Sequence, residues 1–228
     1  MKILALDTST DACSAALWLD GEIRQEFVIA PRQHTRVLLP MIDRLMAEAG
    51  LSPRQLDAIG LSRGPGSFTG VRIAGAVVQG IAFGADLPVA PVSTLAALAQ
   101  DHFNRQPSTA LAFTAMDARM DEIFWGCYHR DPAGLAVLEG LESVTPAATV
   151  VFPDRSGVGV GSGWAVYPEI LGERLQSCLL GVDPEVWPSA ACVAQLAAAI
   201  VTQGLTVSVE AAMPVYLRDK VAKKQSER

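Results

Sequence analysis

The chain has 228 residues, enough for one large domain or two small ones. Half of them are hydrophobic and only 18% are charged, which fills a core and leaves apolar surface over for a partner. A balance of 18 basic against 24 acidic residues, net charge −6, argues against a free-standing nucleic-acid binder.

The N-terminus, MKILALD, reaches Asp7 after a short apolar run, so no secretory leader is expected. No stretch reads as a membrane span. The run before Asp7 is a predicted strand, with Thr8 and Ser9 in the turn after it. CSAALWL and EIRQEFVI, joined by Asp20-Gly21, form a predicted hairpin. Residues 34–49 are predicted helical, 57–61 a strand, 70–84 a second helix and 88–92 a strand. Ser93 caps a third helix that runs to about residue 103.

Residues 111–121, LAFTAMDARMD, then repeat 1–11, MKILALDTSTD, at an offset of 110 without a gap. Asp117 falls on Asp7 and Asp121 on Asp11. EIFWGCY, a turn at Asp131–Gly134 and LAVLEGLESV follow, again strand, turn, strand. Strand 157–160 and helices 165–176 and 189–203 complete the second half. The expected fold is α/β, two β-β-β-α-β-α halves in tandem on the actin-like (ASKHA, ribonuclease H-like) plan. The division is 1–105 and 106–207, and the resemblance to the actin-like superfamily implies that about 208–228 returns to the first half. Cys13, Cys127, Cys178 and Cys192 have no metal-ligand spacing and read as core residues in a reducing cytosol.

Between the strand at 57–61 and the second helix lies SRGPGSFTG. A glycine-rich turn into a helix leaves N–H groups that attract an anion, but tight turns also use glycine for conformation alone. The candidate anion or nucleotide residues are Asp7, Thr8, Ser9, Gly64, Gly66, Ser67 and Thr69. Asp7 and Asp117 end equivalent strands, where ATPases of this fold hold a metal-bound nucleotide. Each Asp also suits the bland role of bonding its own turn. GVGVGSG at 157–163 is a second glycine-rich turn with no charged group beside it.

The first two helices carry more apolar surface than one sheet needs. At 100° per residue, Val37, Leu38, Leu39, Met41, Ile42, Leu45, Met46 and Ala49 cover about 200°, roughly twice a core-facing stripe. From 71 to 83 only Arg72 and Gln79 are polar. The expectation is a helical contact with another subunit through His34, Val37, Leu38, Met41, Leu45, Arg72 and Val78.

ILALDTS at 3–9, His34 with LLPMIDRLM, RGPGSFTGVRIA at 63–74, PVSTLAAL at 91–98, DARMDEIF at 117–124 and PVYLRD at 214–219 together resemble the TsaB (YeaZ) family over the whole chain. The resemblance implies a cytoplasmic, non-catalytic subunit that binds and stabilises TsaD. With TsaE, that complex forms N6-threonylcarbamoyladenosine next to the anticodon of tRNAs reading codons that begin with A. It implies a TsaD heterodimer, TsaE in the ternary complex, a homodimer when TsaD is absent, and tRNA met only through the complex. It implies no cofactor or metal on this chain, with ATP, Mg²⁺ and metal on the partner subunits. TsaD carries a His-x-x-x-His metal motif in the helix after the following strand; the matching positions here are Thr94 and Leu98, and leucine ligates no metal. The competing readings are a small ATP-dependent kinase of the same fold and a metallopeptidase, the latter lacking ligands. The basic cluster Arg218, Lys220, Lys223, Lys224 and Arg228 reads as a solvated tail.

Overall fold

The computed structural model describes residues 1–218, which form two five-stranded mixed sheets. The first contains β1 (Lys2–Asp7), β2 (Ala12–Leu19), β3 (Glu22–Ile29), β4 (Ala58–Ser62) and β5 (Val89–Val92), in the order β3-β2-β1-β4-β5. The second contains β6 (Leu111–Arg119), β7 (Glu122–Arg130), β8 (Ala136–Pro146), β9 (Gly157–Val160) and β10 (Leu179–Asp183), in the order β10-β9-β6-β7-β8. In each, the opening strand is central, antiparallel to the second strand and parallel to the fourth. The repeat at offset 110 is therefore a repeat of topology, and the fold is the expected actin-like α/β duplication. The first half is one strand and one helix longer than the β-β-β-α-β-α minimum, and the second has the short turn Ala147–Thr149 in place of a helix after β8.

The turn chemistry explains the first hairpin. Asp20 and Gly21 both take positive φ, 51° and 103°, the twist that matches a two-residue hairpin. The helices are α1 (His34–Glu48), α2 (Phe68–Ala85), α3 (Thr94–Arg105), α4 (Ser162–Val166), α5 (Pro168–Arg174) and α6 (Ala190–Thr202). The single helix expected at 165–176 is two short ones. Tyr167 precedes Pro168, and the proline ring disfavours helical geometry there, leaving Tyr167 at φ −124°. β10 has no counterpart among the predicted strands.

α1 and α2 cover the outer face of the first sheet. Leu38, Met41, Ile42, Leu45, Met46, Ala74, Val78 and Ala82 pack on Leu4, Leu6, Leu17, Ile59 and Leu61. Each of the larger side chains contributes roughly 1.5–3 kcal/mol by leaving water. At 18 residues, α2 is long and apolar enough by length and composition to cross a membrane, contrary to the sequence expectation. Its Gly70, Val71, Ala74, Gly75, Val78 and Ala82 are nevertheless buried in this protein core.

Between the sheets lie the two remaining long helices, and they are exchanged. α3 follows β5 of the first sheet but packs on the second, placing Leu95, Leu98, Ala99 and Phe103 against Ala112, Met116, Tyr128 and Val160. α6 follows β10 of the second sheet but packs on the first, placing Ala190, Val193, Ala194 and Ala197 against Ile3, Ala5, Ala16 and Ala58. The sequence division put 189–203 within the second half; its helix lies on the first. The C-terminal segment then runs back along the first half, where Val207 pairs with Val89. Lys220, Lys223, Lys224 and Arg228 lie outside the described residues, as does the expected course of the chain beyond 218.

Candidate functional site

The glycine-rich turn and the β1–β2 loop meet at the ends of β4 and β1, where they bond to each other. Thr8 Oγ1 donates to the Gly70 carbonyl at 2.6 Å and accepts from Ala74 N at 3.1 Å. Ser67 N donates to the Ser9 carbonyl at 2.7 Å. A Cβ at Gly66 would lie 2.4 Å from the Ser9 carbonyl oxygen, and one at Gly70 would lie 2.0 Å from that of Thr8. These glycines are needed because the loop lies directly on them. Ser67 caps α2 through Gly70 N, while Gly64 is buried beneath Val215. Of the seven candidate anion residues, Ser67 and Thr69 alone are exposed.

Asp7 is fully buried at the end of β1. Its carboxylate accepts from Ser9 N at 3.0 Å and from Ser9 Oγ at 3.0 Å. Burial raises its pKa above the usual carboxylate value, against the opposing pull of hydrogen bonds from Ser62 and Ser9 and of the His34 ring. Nearby, Ser62 Oγ and Thr94 Oγ1 bond at 3.0 Å. Thr94 and Leu98, at the first turns of α3, are both buried, Leu98 within the α3 core cluster. Among the described residues no cluster of His, Cys, Asp or Glu has the numbers to hold a metal. Burial pushes the thiols of Cys13, Cys127 and Cys192 up to about 12, which suits core residues rather than nucleophiles.

The second glycine-rich turn is likewise filled from within. The Trp164 indole lies over Gly159, 2.4 Å from where a Cβ would stand, and its Nε1 donates to the Phe113 carbonyl at 2.8 Å. Asp117, the equivalent of Asp7, pairs with Arg119 at 3.0 Å instead of being sealed in the core.

A polar junction joins the halves beside Asp7. Glu142 on β8 accepts hydrogen bonds from Ser93 Oγ, the cap of α3, and from the Tyr128 hydroxyl. Arg63, which follows β4, reaches to 3.8 Å of the same carboxylate. Burial raises the Tyr128 pKa well above its usual value, and the adjacent Glu142 charge raises it further. Sequence reasoning missed this cluster, since nothing in PVSTL or LESV marks a contact across 49 residues.

Leu38, Met41, Leu45 and Val78 face the first sheet and are at most 5% exposed. His34 is buried, and its Nε2 holds the β1–β2 loop through the Thr10 carbonyl at 2.9 Å. Val37 is half-buried. Arg72 is exposed, its guanidinium 3.3 Å from the Phe68 ring centroid. The surface left uncovered is the opposite side of the same two helices. It carries Leu39 and Pro40 on α1 and Phe68, Ala76, Gly80 and Phe83 on α2, with Phe83 79% exposed. Shallow grooves of about 430 and 360 Å³ flank it, meeting at Gly80.

Comparison with known proteins matches residues 28–226 to the family model for TsaD, tRNA N6-adenosine threonylcarbamoyltransferase. The tRNA threonylcarbamoyladenosine biosynthesis protein TsaB of Escherichia coli is 43% identical over 99% of this chain and 98% of its own length. The Haemophilus influenzae protein of the same name is 38% identical over 99% and 97%. The solved structure of YeaZ from Pseudomonas aeruginosa superposes with a TM-score of 0.87 at 42% identity, covering 95% of this chain and 99% of that one. On full-length identity and on fold, the chain belongs to the TsaB (YeaZ) family.

Proposed function

We propose that this chain takes part in forming N6-threonylcarbamoyladenosine on tRNA, as a subunit that performs no catalysis and that binds and stabilises TsaD. The observation that carries the reading is the uncovered apolar ridge on α1 and α2, with Phe68, Phe83 and Leu39 exposed beside small residues that permit close helix approach. The inward-turned hydrogen bonds of Asp7, Thr8 and Ser9 support a subunit with no nucleotide of its own. Thr94 and Leu98 support the absence of a metal here, leaving ATP, Mg²⁺ and metal to TsaD and TsaE. TsaE joins the heterodimer, tRNA is met through the complex, the ridge pairs with a second copy when TsaD is absent, and the setting is the cytoplasm.

Mixing the purified chain with TsaD from the same organism tests this. Co-elution is expected, and Ala76→Glu and Phe83→Glu are expected to abolish it while leaving the fold intact. Full co-elution of both variants removes the ridge from the interface. An unchanged modification level in cells depleted of the chain removes the role.

A further inference from the structure

We propose that residues Val207–Arg218 form a strap that couples the start of α2 to the β6–β7 turn in the other half of the molecule, with the Arg218–Glu122 ion pair as its clasp. The strap is fixed at its first end by two backbone hydrogen bonds between Val207 and Val89, at 2.8 and 2.9 Å. It then follows α2 toward that helix's N-terminus. Ala212 is fully buried in the α1–α2 core, and its carbonyl accepts from Gln79 Nε2 at 3.3 Å. Pro214 lies against Gly75, and Val215 N donates to the Arg63 carbonyl at 2.8 Å. The Tyr216 ring meets Phe68 at 5.9 Å between centroids, with the Arg72 guanidinium near both rings.

Past this point the strap leaves the first half. Arg218 Nε donates to Glu122 Oε2 at 3.0 Å, Nη2 donates to the same oxygen, and Nη2 also donates to the Arg119 carbonyl at 3.2 Å. The turn it grips is unusual. Arg119, Met120 and Asp121 take φ of 62°, 59° and 61°, three consecutive residues in the left-handed region and none of them glycine. Such a turn persists only where its surroundings hold it. Arg119 and Asp117 already neutralise each other at 3.0 Å, so Arg218 is the cation that Glu122 receives. A displacement of the first turn of α2 would be carried through Val215 and Tyr216 to Arg218, and so to the turn.

Hydrogen exchange on the isolated full chain tests the coupling without any partner, so its failure is separate from that of the proposed function. Arg218→Ala is expected to raise exchange across residues 117–123 by about threefold, and to raise it across 63–70 as well. Exchanging the two charges, Glu122→Arg with Arg218→Glu, is expected to return both segments toward the original rates. Tyr216→Ala is the decisive variant because the ring it removes packs on Phe68 and Arg72 of α2, and it is expected to raise exchange across 117–123. A rise confined to 117–123 in Arg218→Ala, together with no change there in Tyr216→Ala, reduces the clasp to a local bond and overturns the strap. No change at either segment in either variant overturns it equally.

Discussion

The two halves share a sheet order but differ on their outer faces. The first carries helices of 15 and 18 residues, and the apolar ridge stands on their far side. The second has the three-residue turn Ala147–Thr149 where α1 would be, and only the five- and seven-residue α4 and α5 beyond it. A duplicated fold retains what its sheets require and is free to change what covers them. The inner layer, α3 and α6, is retained in both halves because each sheet depends on the helix that the other half supplies. The outer layer has diverged, with long helices over the first sheet and short ones over the second.

The most severe break of this comparison is a cavity in the second sheet. Phe113 is fully buried, stacked against Trp125 at 6.1 Å between centroids. Phe113→Ala is expected to lower stability by about 3–5 kcal/mol. Because α3 and α6 are exchanged, the loss is expected to reach both halves in one transition by urea denaturation. Two separate transitions would mean that the exchange does not bind the halves into one unit.

Gly70→Ala attacks the other half at its turn. The new Cβ meets the Thr8 carbonyl oxygen at 2.0 Å, and backbone gives way poorly. A loss of about 2–3 kcal/mol is expected by thermal unfolding. Gly80→Ala on the same helix meets nothing within 4 Å and is expected to be neutral or slightly stabilising by up to about 1 kcal/mol, from helix propensity. Equal effects at the two glycines would mean that the loop does not rest on α2.

A smaller effect sharpens the contrast between outer faces. Ile170 on α5 is 44% exposed and Leu39 on α1 is 50% exposed. Either one replaced by Glu is expected to change stability by less than about 0.5 kcal/mol. Of the two, Leu39→Glu is expected to weaken TsaD co-elution. Loss with Ile170→Glu instead would move the interface to the second half.

Much of this architecture was legible because local chemistry wrote it. Asp20-Gly21 gave the hairpin its turn, Ser93 capped α3, and the offset repeat gave the duplication. The exchange of α3 and α6 was not legible, because an alanine-rich helix such as AACVAQLAAAI fits either sheet. β10 is an edge strand interrupted by Gly181, and its exposed Leu180 and Val182 give no alternating pattern. Four of the seven expected interface residues, Leu38, Met41, Leu45 and Val78, face the first sheet, and the exposed apolar residues of the same helices lie on the other side. An apolar arc of about 200° does not say which half of it meets the sheet, and Asp43 and Arg44 mark its boundary without choosing between Met41 and Leu39. The loop after Asp7 and the GPGS turn lie together, joined by Ser67 N to the Ser9 carbonyl, while the Asp7 carboxylate bonds Ser9 of its own turn.

The most delicate prediction concerns the equivalent aspartates. Asp7 is buried with its pKa raised, whereas Asp117 pairs with an exposed arginine. A carboxyl whose folded pKa lies above its unfolded value of about 3.8 favours the fold fully while both states hold the proton. Its contribution is lost as pH rises through the folded pKa, because the folded state then resists releasing a proton that the unfolded state gives up. Asp7→Asn keeps an acceptor for Ser9 N and has no charge to bury. Its stability relative to the native chain is therefore expected to rise between pH 4 and pH 8, by about 1.4 kcal/mol for each pH unit between the folded and unfolded pKa values. Paired urea titrations at the two pH values measure the difference. A gain for Asp7→Asn that is the same at both would mean that the buried carboxyl is not the group being titrated.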